Sequence, residues 1–161
     1  MLFRTFIKII NLFFSFSYSQ ENVKPNIIII NCDDLGYGDL SSYGNKKNKT
    51  PNIDFLANKG QKWKHIYAAA SVCTPSRAGL LTGKLPVRTG MYGDKRRVLH
   101  QFSEGGISKN EITIAELLKY YGYKTALIGK WHLGHKEQIL PKKHGFDLFY
   151  GIPYSLSLIH I

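Results

Sequence analysis

The sequence predicts an α/β fold with a mostly parallel sheet flanked by helices, on three observations. Asn26-Ile27-Ile28-Ile29-Ile30-Asn31 is a continuous β-branched run, the pattern of a strand buried on both faces. Helical segments with recognisable caps alternate with such runs along the chain. The residues able to do chemistry gather just after predicted strands, where open α/β sheets place their sites.

Each element has a local reason. The first strand covers residues 26–31. Thr50-Pro51-Asn52-Ile53-Asp54-Phe55-Leu56-Ala57-Asn58-Lys59-Gly60 predicts a helix with Thr at the N-cap, Pro in the first turn where its missing N–H costs nothing, and Gly past the end. Residues 65–70 predict a second strand or an approach to one. Pro75 fits an early helical position, which puts Cys73 near a helix N-terminus. Thr113-Ile114-Ala115-Glu116 is a capping box for a helix through Leu117, Leu118 and Tyr121, stopped by Gly122. Thr125-Ala126-Leu127-Ile128-Gly129 predicts another short buried strand. No internal repeat is visible.

Composition bounds the class. The chain has 161 residues, 43% of them hydrophobic, with two cysteines and a formal net charge of +11. This excludes a disordered polyelectrolyte, a disulfide-stapled scaffold and a multi-domain protein. The positive charge suits nucleic acid, an anionic membrane or an anionic small substrate, and does not choose among them. Residues 44–49 and 93–109, the latter with Lys95-Arg96-Arg97, read as solvated loops. Neither is helical or interleaved with aromatics as a base-stacking surface would be. Asn48-Lys49-Thr50 is only a weak glycosylation acceptor, since a Pro follows it.

The ends differ from the middle. Residues 1–19 have a basic start with Arg4 and Lys8, an apolar centre, and Ser17-Tyr18-Ser19 before Gln20, the parts of a secretory signal peptide cleaved after Ser19. The apolar run is too short for a stable membrane span. The implied destination is secretion, the periplasm or the lysosomal lumen. Residues 156–161, Leu-Ser-Leu-Ile-His-Ile, are what the end of a transposon-derived sequencing adapter encodes, so native sequence is expected to stop near Ser155 with a scar behind it. Residues 20–155 are then what remains as mature native sequence.

Three clusters carry chemistry. Asp33 and Asp34 directly follow the Ile run; adjacent carboxylates repel, and a hard divalent cation removes that repulsion, although a turn acid capping the next segment would look the same. The Gly36-Tyr37-Gly38-Asp39-Leu40-Ser41 segment is not a dinucleotide loop, because the third Gly is Ser41. Cys73-Thr74-Pro75-Ser76-Arg77 puts a thiol near a helix N-terminus with Arg77 one turn on, which suits an anion and a low-pKa nucleophile. A structural cysteine, or a disulfide to Cys32, is the plainer alternative. The Gly79 to Lys84 stretch is not a P-loop, since one spacer residue is missing and Leu85 replaces Ser/Thr. In Gly129-Lys130-Trp131-His132-Leu133-Gly134, extended backbone would point Lys130 and His132 to one side. That pairing suits an anion that must be bound and then have protons moved, or is simply a surface pair.

In this order the motifs closely resemble the type I sulfatases, nearest the arylsulfatase A branch of the alkaline-phosphatase-like superfamily. The match covers residues 25–155. It also takes in Leu81-Thr82-Gly83, Pro86-Val87-Arg88-Thr89-Gly90-Met91-Tyr92, Gly145-Phe146-Asp147 and Gly151-Ile152-Pro153-Tyr154-Ser155. The resemblance implies the N-terminal part of a sulfatase fold, truncated, and a sulfuric ester hydrolase acting on a sulfate-ester substrate. It further implies that a formylglycine-generating or sulfatase-maturing enzyme oxidises Cys73 to formylglycine. One hydroxyl of the hydrated aldehyde then attacks sulfur and the other drives elimination of sulfate.

By the same resemblance, a calcium ion is held by Asp33, Asp34 and the modified Cys73. Arg77 and Lys130 hold the hydrate, His132 takes the proton during elimination, and Lys130 and Ser155 lie by the substrate sulfate. The family's second metal pair, Asp-Asn, and a further His and Lys lie beyond this chain. The 161 residues alone are therefore expected to be inactive and poorly folded. The rivals are a phosphate or phosphonate monoester hydrolase of the same superfamily and a non-catalytic anion- or glycan-binding protein with unmodified Cys73. A nucleic-acid-binding module is disfavoured by the signal peptide.

Overall fold

A computed structural model describes residues 24–93 and 98–154 of the chain. The expected signal peptide, Ser155 and the expected terminal scar lie outside the described residues. The chain divides into two units, Met1–Leu35 and Gly36–Ile161.

In the described part of the first unit, the strand expected over residues 26–31 is not formed. Ile27, Ile28, Ile29 and Ile30 are 49–82% exposed. A strand buried on both faces needs hydrogen-bonding neighbours and cover on each side, and the described residues of this unit supply neither. Asp33 and Asp34 follow on a bend, both exposed, with Asp34 in the left-handed region at φ 58°. Asp tolerates that region better than most residues, because its short polar side chain bonds locally.

The second unit begins with two 3-10 turns, Tyr37–Asp39 and Ser41–Tyr43, followed by helix α1, Pro51–Lys59. Thr50 and Gly60 bound α1 as expected, but none of its residues is buried. It is fastened by polar bonds instead. Asp54 accepts from Ser41 Oγ at 2.5 Å and from Thr50 Oγ1 at 3.0 Å. These hydroxyls, Ser41 first, hold the Asp54 carboxyl below its ordinary pKa. The strand expected over residues 65–70 is also absent, with Ile66 and Tyr67 largely exposed.

Helix α2 runs Cys73–Thr82 and ends at Gly83, whose φ of 65° turns the chain while its N–H bonds Gly79 O at 2.9 Å. A 3-10 turn, Pro86–Thr89, follows. Helix α3, Ile114–Tyr120, starts at the expected capping box: Thr113 Oγ1 accepts from Glu116 N at 3.2 Å, and Glu116 Oε2 accepts from Thr113 N at 2.8 Å.

Strand β1, Ala126–Lys130, pairs in parallel with β2, Leu148–Ile152, in the register Ala126 with Leu148 through Lys130 with Ile152. Two 3-10 turns, Glu137–Ile139 and Pro141–Lys143, make the crossover. Strand β2 was not among the expected elements. Leu127 and Phe149 pack inward on a core of Ala78, Met91, Leu99, Ile107, Ala115, Trp131, Leu133, Ile139 and Phe146. Ile128, Leu148 and Tyr150 alternate to the other face, where Ile128 is 75% and Tyr150 77% exposed.

Asp147 ties α3 to the sheet. Its carboxylate accepts from Lys119 Nζ at 2.7 Å and from Thr125 N at 3.0 Å, while Thr125 Oγ1 donates to Gly145 O at 2.6 Å. Gly145 sits at φ 88°, and a Cβ there would run into the backbone of Glu116. We expect Gly145→Ala to destabilise the protein by about 2 kcal/mol or more, read from the urea midpoint, since both the backbone conformation and the space forbid the methyl.

The Lys119 ammonium, then the Thr125 N–H, hold the Asp147 carboxyl at about 2, below its ordinary 3.8. Its stabilising contribution is therefore complete above the ordinary carboxylate range and lost as pH falls from 3.8 through about 2. Asp147→Asn should flatten the pH dependence of the urea midpoint across that window. An equally steep dependence in the variant would show that other carboxylates carry it.

Candidate active site

Helix α2 presents Cys73 as its first residue, after Val72 in extended conformation at φ −129° and ψ 157°. No side chain caps this end, where Cys73 is half-buried and the helix dipole is positive. Both cysteines are free, so the disulfide to Cys32 is not formed. Thr74 and Pro75, the next two residues, are buried and seat this end of the helix in the core.

Two side chains of α2 fasten it to the exit of β1. Arg77 Nη1 donates to Lys130 O at 2.6 Å, and Thr74 Oγ1 donates to His132 O at 3.0 Å. The sheet ladder continues past the strands: Trp131 N donates to Ile152 O at 2.9 Å and His132 N to Pro153 O at 3.1 Å. The backbone of the Lys130-Trp131-His132 segment is therefore held by β2 on one side and α2 on the other. The Trp131 indole donates to Ile139 O at 3.0 Å. Its ring packs against His144, 5.7 Å between centroids, and edge-on against Phe146. His144 is fully buried, and burial pushes its pKa down, opposed by Glu116 and reinforced by Lys109.

The expectation that Lys130 and His132 alternate along extended backbone fails at His132, which has φ 59°. The chain turns left-handed there and the imidazole is buried, with Nε2 2.7 Å from Leu99 O. Bonds from α2 to their carbonyls, and not strand alternation, bring the two residues to the same helix.

Cys73 and Arg77 thus lie on α2, and the backbone of Lys130 and His132 is bonded to that helix. Asp33 and Asp34 lie in the first unit. Among the described residues there is no group of three or more His, Cys, Asp and Glu poised around a common point. The two aspartates are hard oxygen donors of the kind calcium takes, but alone they are a fraction of its six to eight ligands. Sequence reasoning missed Thr74 and Leu99. A hydroxyl between Cys73 and Pro75 has no sequence signal for partners so distant along the chain, and a backbone carbonyl has none at all.

Comparison with known proteins places these features in a family. The Sulfatase family model matches residues 25–159. Arylsulfatase A of Bos taurus is 53% identical over 133 residues, covering 81% of this chain and 26% of that protein. Arylsulfatase H of Canis lupus familiaris is 49% identical over 145 residues, covering 84% and 26%. N-acetylgalactosamine-6-sulfatase of the same species is 45% identical over 133 residues, covering 80% and 26%.

Among solved structures, Ps i-CgsB superposes with a TM-score of 0.71 at 39% identity, covering 76% of this chain and 27% of that one. The PsFucS1 sulfatase from Pseudoalteromonas sp. gives 0.67 at 43% identity, covering 77% and 25%. The parallel pair with its flanking helices is a portion of the alkaline-phosphatase-like fold, and the chain spans about a quarter of the length of the curated relatives it matches. With a match that runs through all of the described residues but the first, the chain belongs to the sulfatase family.

Proposed function

We propose that the protein, at the length of its relatives, is a sulfuric ester hydrolase of the arylsulfatase type, with Cys73 as the precursor of a formylglycine. The observation that carries this reading is the pair of bonds from α2 to the backbone carbonyls of Lys130 and His132, which hold that segment against the helix that begins at Cys73. A formylglycine at position 73 supplies, as its hydrate, one hydroxyl to take the sulfuryl group and one to release sulfate. Asp33 and Asp34 would hold calcium, with the modified residue 73, and the ion supplies positive charge for the sulfate oxygens.

The chain's own groups divide the remaining work. The α2 N–H groups and the Arg77 guanidinium present fixed positive ends to the anionic sulfate, and the Lys130 ammonium adds a second cation. His132 takes the proton when sulfate leaves. In the net reaction water replaces the alcohol or phenol on sulfur, the S–O ester bond breaks, and the leaving oxygen gains a proton. Ser155 would lie near the sulfate.

The same reading includes maturation of Cys73 by a formylglycine-generating or sulfatase-maturing enzyme. It also includes export directed by residues 1–19 to the exterior, the periplasm or the lysosomal lumen. Among the described residues no helix is long and apolar enough to cross a membrane.

The test uses the protein at the length of its relatives, co-expressed with a maturing enzyme. We expect turnover of an aryl sulfate well above that of the matching aryl phosphate, and an aldehyde in the Cys73 peptide by mass spectrometry. Preferred hydrolysis of the phosphate would move the protein to the phosphoesterases of the superfamily. An intact thiol with tight sulfate-ester binding and no turnover would make it a binding protein. Cys73→Ala should lower kcat by at least about a thousand-fold, the scale of losing a nucleophile. Chelation with EGTA should abolish turnover and added calcium should restore it; activity indifferent to both would remove the metal from the proposal.

A further inference from the structure

The residue between Cys73 and Pro75 has no assigned part in the chemistry. Its hydroxyl nonetheless lies at the centre of a closed circuit of hydrogen bonds. Thr74 Oγ1 donates to His132 O at 3.0 Å, Leu99 N donates to Thr74 Oγ1 at 3.1 Å, and His132 Nε2 meets Leu99 O at 2.7 Å. All three residues are buried, at 1%, 4% and 0% exposure, so water does not compete for these groups.

The donor and acceptor roles in this circuit are forced. A hydroxyl has one hydrogen, and His132 O can only accept, so the Thr74 hydrogen points there and an oxygen lone pair receives the Leu99 N–H. Leu99 O also can only accept, so the ring atom facing it must be an N–H. A neutral imidazole has one N–H, which places the hydrogen on Nε2 and the lone pair on Nδ1. The left-handed backbone of His132, φ 59°, is held in place by the same circuit, with His132 N bonded to Pro153 O.

We propose that Thr74, acting with the Leu99 carbonyl, is a positioning residue that fixes the Nε2–H tautomer of His132, so that Nδ1 is the nitrogen through which this histidine exchanges its proton. The role given to His132 rests on the sulfate-ester reading above; the tautomer and its dependence on Thr74 do not. Thr74 touches none of the reacting atoms, and its effect reaches them only through the ring it orients.

The experiment is 15N NMR of the histidine rings in the protein at the length of its relatives, with Cys73 unmodified and at a pH where the His132 ring is neutral. His132 is assigned by the signal missing in His132→Gln. In the wild type we expect a protonated, pyrrole-type Nε2 and a pyridine-type Nδ1; the reverse assignment overturns the proposal. Thr74→Val removes the hydroxyl at nearly constant shape and should shift His132 toward mixed or reversed tautomers, whereas Thr74→Ser should keep the wild-type pattern. A folded Thr74→Val protein with an unchanged His132 pattern also overturns it.

If Thr74→Val does not fold by circular dichroism, Thr74→Ser and the wild-type assignment decide. Retention of Nε2–H in both supports the proposal, and its loss in the serine variant overturns it. Sulfate-ester turnover is measured separately, so an enzyme that fails to hydrolyse sulfate esters while showing the expected tautomer overturns the functional reading alone.

Discussion

The placement of α2 against the segment that leaves β1 depends on two bonds from helix side chains to backbone carbonyls. Where a strand ends, its carbonyls lose their ladder partners, and a buried carbonyl without a donor is costly. Here the carbonyls of Lys130 and His132 find donors on α2, in Arg77 and Thr74. The same bonds that satisfy the backbone hold the Lys130 to His132 segment against α2, the helix that begins at Cys73. Fold stability and site geometry are therefore the same set of interactions here. A change that loosens one loosens the other, which separates this arrangement from sites carried on peripheral loops.

The electrostatics follow from that placement. The positive end of α2 favours negative charge beside it, and the net charge of +11 adds a background of the same sign. The Lys-rich segments around residues 46–49 are exposed and contribute to the background only. The polar circuits elsewhere do structural work: Asp54 fastens α1, and Asp147 fastens α3 to the sheet. These carboxylates are satisfied by neighbouring donors.

What the residues revealed in advance was what local physics decides. The helix boundary at Thr50, the capping box at Thr113 and the start of α2 at Cys73 formed where expected, and the strand expected over residues 125–129 formed one residue on, at Ala126–Lys130, with none of its residues buried; Thr50 bounds its helix without a side-chain cap bond. The misses are non-local. The Ile27 to Ile30 run has the composition of a buried strand, but a strand exists only with a partner to bond. Leu148-Phe149-Tyr150-Gly151-Ile152 went unrecognised because a short run interrupted by Gly gains its identity from pairing with β1. At His132, alternation was assumed from spacing, whereas three long-range bonds hold the residue in the left-handed region. The site residues themselves were legible as chemistry, and their geometry was not.

The sheet has two unequal faces, and the site belongs to the finished one. Leu127 and Phe149 point into the core with Trp131, Leu133 and Phe146, while Ile128 and Tyr150 point outward and stay exposed. A parallel pair is ordinarily covered on both faces, because its backbone and β-branched side chains gain from burial on each. The segment after β1 nevertheless is among the most deeply buried of the described residues, with Trp131, His132 and Leu133 at 1%, 0% and 0% exposure. The order of the site must then come from the inner layer: the α2 bonds, the ladder carried on to Pro153, and the Trp131 indole bonded to Ile139 O. Cover over Ile128 and Tyr150 would add stability to the sheet as a whole. It would not add a partner to the groups that hold Lys130 and His132, because those partners all lie on the inner face or along the ladder itself.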